Sequence, residues 1–121
     1  MRIEIIKGQI IDPANQINEQ GSLYIQDDKI VGIFNAPAGF IADKTIDAAG
    51  QIVCPGFVDL SARLREPGQT HKASMQSETQ AAAHAGFTSL CLPPDTKPVI
   101  DTVAVVELIK DKAEKCAYPQ V

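Results

Sequence analysis

The chain is poor in the groups that hold metals or form covalent intermediates. Its 121 residues include two histidines, His71 and His84, thirteen positions apart and forming no ligand pair. Structural roles are expected for both. Its three cysteines, Cys54, Cys91 and Cys116, are odd in number, widely spaced and free of any Cys-x-x-Cys pair. They read as free thiols of a reducing cytoplasm and, by residue type, as small buried hydrophobes. Gly-rich phosphate loops, nucleophile elbows and zinc-finger spacings are missing. No apolar run is long enough to cross a membrane. The start, Met1-Arg2-Ile3-Glu4, enters a strand pattern without signal-peptide architecture. A cytoplasmic location is therefore expected, with no membrane partner. Basic residues are outnumbered, 11 to 15, for a net charge of −4, so no nucleic-acid partner is expected either. At this length the chain is one domain at most, with enough residues to bury a core.

What the sequence does contain changes character near its middle. Residues 3–11 are rich in isoleucine and broken by Gly8, which predicts two short strands or one kinked strand. Leu23 to Gln26 and Lys29 to Phe34 read as hairpin arms around an Asp27-Asp28 turn. Residues 45–53 read as strand, turn, strand. From Pro55-Gly56 onward the pattern alternates. A short apolar strand over 57–62 precedes a polar loop, then a helix over 71–85 closed by Gly86. A continuous apolar strand follows over 87–92, of the buried parallel type. The stiff loop Pro93-Pro94-Asp95-Thr96-Lys97-Pro98 leads to a helix from an Asp101 N-cap to Lys115. Val105, Leu108, Ile109 and Lys112 share one side of that helix. Its charged residues, Glu107, Lys110, Asp111, Lys112, Glu114 and Lys115, are expected to form a solvated face with weak ion pairs. Tyr118 to Val121 resembles the approach to a third strand. Strand, helix, strand, helix at this spacing signals a parallel α/β arrangement.

Residues two apart on a strand share a face, and at the C-terminal end of a barrel strand that face looks into the mouth of the barrel. Ser61 and Arg63 hold those positions. A serine hydroxyl is not among the usual zinc ligands. An arginine cannot deprotonate in a protein, has no lone pair to give and carries a positive charge. Asp59, one step deeper, is expected to accept hydrogen bonds from backbone or a neighbour.

The stretch Pro55-Gly56-Phe57-Val58-Asp59-Leu60-Ser61-Ala62-Arg63-Leu64-Arg65-Glu66-Pro67-Gly68 resembles the first barrel strand and loop of the dihydroorotases of the amidohydrolase superfamily. Ile46-Asp47-Ala48-Ala49-Gly50 and Ala85-Gly86-Phe87-Thr88 resemble the same family. The resemblance implies an α/β fold: β-sandwich strands (residues 1–53), then the first two βα units of an incomplete (β/α)8 barrel (residues 54–121). It also implies that the chain is the N-terminal piece of a longer protein. In the family the strand ends His-x-His and both imidazoles bind catalytic zinc. Ser61 and Arg63 stand there instead, so no cofactor is expected. The resemblance assigns Arg65 to the grip on the substrate carboxylate, with an asparagine as partner. Asp95 takes the asparagine's place, and its charge would repel a second carboxylate by roughly 1 to 4 kcal/mol at close range. Arg63 and Arg65 are expected to neutralise it.

Three readings follow. The first is a non-catalytic dihydroorotase-like protein of pyrimidine (UMP) biosynthesis, a structural partner of aspartate carbamoyltransferase. The second is a fragment of an active dihydroorotase, a cyclic amide hydrolase, with relocated ligands. The third is a stand-alone α/β binding module. The exposed strand edges of an incomplete barrel also predict self-association.

Overall fold

The computed structural model of the chain describes residues 1–116, 119 and 121. The strand approach expected at Tyr118 to Val121 falls outside the described residues, apart from Pro119 and Val121. The chain divides after Pro55 into two compact units, Met1–Pro55 and Gly56–Val121, where length alone suggested one domain.

The first unit is a five-stranded mixed sheet built on β1 (Arg2–Asp12). β1 is one kinked strand. Between Ile5 and Gly8 its register against β2 (Ile17–Gln26) slips by one residue, and Lys7 there takes a left-handed φ of 62°. The bulge bends the strand, so its first half pairs in parallel with β4 (Lys44–Asp47) and its second half with β5 (Ile52–Val53). β2 turns into β3 (Lys29–Ile33) through Asp27 and Asp28, both at positive φ. That is the backbone of a tight primed hairpin turn. The turn is held by the chain's amino group, which donates to Asp27 Oδ1 at 2.6 Å. The contact raises the amine's pKa and lowers that of Asp27. Ile10, Leu23 and Ala48 are the buried apolar residues of this unit.

The second unit carries two βα repeats. β6 (Phe57–Asp59) and β7 (Phe87–Leu90) pair in parallel as expected, but β7 stops at Leu90, short of 92, and of the two strands only Leu90 is buried, with Phe57, Val58 and Thr88 exposed. α1 (Met75–His84) starts later than its composition predicts. Ser74 is its N-cap: its hydroxyl takes the Ser77 amide, and the Ser77 hydroxyl meets the Ser74 amide in return. Gly86, with φ +88°, ends it. α2 (Val103–Glu114) is capped by Thr102, whose hydroxyl accepts from the Val105 amide, and not by Asp101.

Leu64, Met75, Leu90 and Ile109 form the buried core of this unit, each contributing about 1.5 to 3 kcal/mol of burial. One expectation about α2 fails here: Leu108 is exposed, because Ile109 and Val105 take the inward positions. Lys112, on their side as expected, stays 41% exposed and faces Glu66 3.7 Å away in a weak ion pair. The cysteines also depart from expectation. Cys54 and Cys91 are exposed, and half-buried Cys116 donates its thiol to the Lys112 carbonyl.

Candidate functional site

The expected strand over 57–62 stops at Asp59. The cause is local: Asp59 Oδ1 accepts the amide of Ser61 at 2.8 Å, an Asx turn that draws the backbone out of the ladder. The segments that follow β6 and β7 stay together beyond it nonetheless. The Cys91 amide donates to the Asp59 carbonyl at 2.7 Å and the Ala62 amide to the Cys91 carbonyl at 3.0 Å. This brings residues 63–65 opposite the loop after β7.

A cleft of about 160 Å³ opens there. Its polar lining is Arg63, Arg65, Gln69, Lys72, Asp95 and Thr96, over an apolar floor of Leu64, Pro67 and Leu92. Arg63, Arg65 and Asp95 thus line one cleft, but only Arg63 pairs with Asp95; Arg65, expected to share in neutralising it, has no ion pair among the described residues. Exposed Ser61 is not among the lining residues, because the Asx turn takes it off the regular strand.

Arg63 Nε donates to Asp95 Oδ2 at 3.0 Å. Both side chains are about half exposed, at 56% and 54%, and a pair in that setting is worth about 0.2 to 1 kcal/mol. It sets a carboxylate of the chain itself against the Arg63 guanidinium. Asp95 is held there by its loop. The Lys97 amide donates to the Pro67 carbonyl at 3.2 Å, and Gly68 lies so close that a Cβ would stand 2.6 Å from both Lys97 Cβ and its carbonyl oxygen.

The loop that carries the arginines is strained and anchored. Arg65 has φ 67°, a left-handed conformation costing a non-glycine residue about 1 to 3 kcal/mol. Its carbonyl accepts the Gln69 amide at 2.8 Å. Its neighbour Glu66 reaches into the fold, where Oε2 accepts the Met75 amide at 3.1 Å and Oε1 faces Lys112. Met75 opens α1, so its amide is one of the donors that a helix leaves unpaired. Glu66, Gln69 and Lys72 were not singled out from sequence. Glu66 lies inside the recognised motif, but nothing in its spacing announces a contact with two helices.

The donor set at this strand end does not fit zinc. Neither the Ser61 hydroxyl nor the Arg63 guanidinium is a competent zinc ligand, and among the described residues no three His, Cys, Asp or Glu side chains cluster so as to hold a metal. His71 and His84 lie outside the cleft's lining. No helix among the described residues is long and apolar enough to cross a membrane.

Comparison with known proteins agrees with the architecture. A profile of the Dihydro-orotase-like family matches residues 50–121. Over its full length the chain is 52% identical to a protein named dihydroorotase-like from Pseudomonas aeruginosa, of which it spans 29%. It is 39% identical to a protein named dihydroorotase from Solibacter usitatus, of which it spans 28%. The L-hydantoinase (dihydropyrimidinase) of Arthrobacter aurescens shares the fold with a TM-score of 0.80 at 21% identity, over 92% of this chain and 24% of that one. The fold is therefore that of an amidohydrolase's β-strands and first βα units, and the chain spans less than a third of the curated relatives it matches. By its sequence match over residues 50–121, the chain belongs to the dihydroorotase-like family.

Proposed function

We propose that the protein is a non-catalytic dihydroorotase-like protein of pyrimidine (UMP) biosynthesis, acting in the cytoplasm as a structural partner of aspartate carbamoyltransferase. The observation that carries this reading is the Arg63–Asp95 ion pair. At the strand end where a dihydroorotase needs metal ligands and a grip on a carboxylate, this chain has a cation in a ligand position and closes it with its own carboxylate. Without a metal there, the ordinary route to a hydroxide nucleophile at neutral pH is lost. Two independent departures, Arg63 and Asp95, support the reading better than either would alone.

The test is a dihydroorotate hydrolysis assay on the full-length protein with added zinc, alongside co-purification with a carbamoyltransferase. No turnover together with co-elution is expected. Restoring Ser61→His and Arg63→His together should not create activity while Asp95 remains; robust turnover in that double variant would show Asp95 to be harmless.

A second reading, an active cyclic amide hydrolase making dihydroorotate from N-carbamoyl-L-aspartate with relocated ligands, draws support from the 39% identity to a protein named dihydroorotase. Zinc-dependent turnover by the unmodified full-length protein would establish it.

A further inference from the structure

We draw no further inference here: the strongest candidate, the apolar groove of about 150 Å³ on the five-stranded sheet lined by Ile10, Leu23, Ile30, Ile33 and Val53, restates the β-sandwich that the family resemblance assigns to residues 1–53 if a later stretch of chain covers it, and nothing among the described residues shows any other cover.

Discussion

Replacing Glu66 by alanine should destabilise the full-length protein by about 2 to 4 kcal/mol, the sum of a charge-assisted hydrogen bond and a weak ion pair. The carboxylate is only 12% exposed and accepts the Met75 amide at 3.1 Å. A hydrogen bond to a charged group contributes about 1.5 to 3 kcal/mol, within which lies the attraction of a negative charge to a helix N-terminus. Lys112 lies 3.7 Å away and is 41% exposed, so its share is about 0.2 to 1 kcal/mol. The parts can be separated. Glu66→Gln keeps an acceptor and loses the charge, and should cost about 1 kcal/mol. In a double-mutant cycle with Lys112→Ala, the coupling should stay below about 1 kcal/mol. Urea unfolding reads all three as shifts of the midpoint at constant slope. A Glu66→Ala protein within about 0.5 kcal/mol of wild type would refute the reasoning, as would a glutamine variant as damaged as the alanine one.

Gly68→Ala should cost about 1 to 3 kcal/mol, because Gly68 has φ +104° and no room for a Cβ against Lys97; thermal unfolding measures it. Asp47 accepts from Lys7 Nζ at 2.6 Å and from the Ala49 amide at 3.0 Å. These bonds favour the carboxylate and hold its pKa below that of an ordinary aspartate. Since the folded pKa lies below the unfolded one, the stabilisation is complete above the unfolded value and is lost as pH falls through the folded one. An NMR titration of the Asp47 carboxyl should give a midpoint under 3.8, and Asp47→Asn should flatten the acid limb of the stability profile. Phe57, Val58 and Leu60 are 54%, 56% and 79% exposed around a two-stranded sheet. The 121-residue chain alone should therefore associate with concentration in a sedimentation experiment, and a clean monomer at high concentration would contradict this.

The elements that sequence reading recovers are those announced by local chemistry. The hairpin was legible in Asp27-Asp28 between apolar runs, and the end of α1 in Gly86. The order strand, helix, strand, helix was legible from Pro55 onward, and β6 and β7 pair in parallel as that order requires. What escaped depended on partners distant in sequence. β2 begins at Ile17, well before the hairpin arm expected from Leu23, because pairing with β1 overrides the weak strand preference of Asn18, Glu19 and Gln20. β4 and β5 lie parallel to β1 only because a bulge bends that strand. At the candidate site, Arg63, Arg65 and Asp95 were legible by position in the motif. Lys72, Gln69 and Glu66 were not, since only the folded loop brings them to the cleft or to the helices. Ser61 left the expected strand because Asp59 captured its amide, a contest between side chain and ladder that period-two reasoning does not weigh.

The central place of β1 also sets an order of events in time. The β2–β3 hairpin closes over two residues, an event of about 1 to 10 μs. β4 reaches β1 across 41 residues, as in the Thr45–Glu4 hydrogen bond. Each doubling of loop length adds about 0.6 kcal/mol of closure entropy, so this pairing forms late. β4 is exposed along its whole length and has little burial to keep it in place once formed. A strand that arrives late and buries so little is then among the first to leave. Its edge breathes while the hairpin stays shut, and amide exchange at Ile46 should outrun exchange at Leu23 by orders of magnitude.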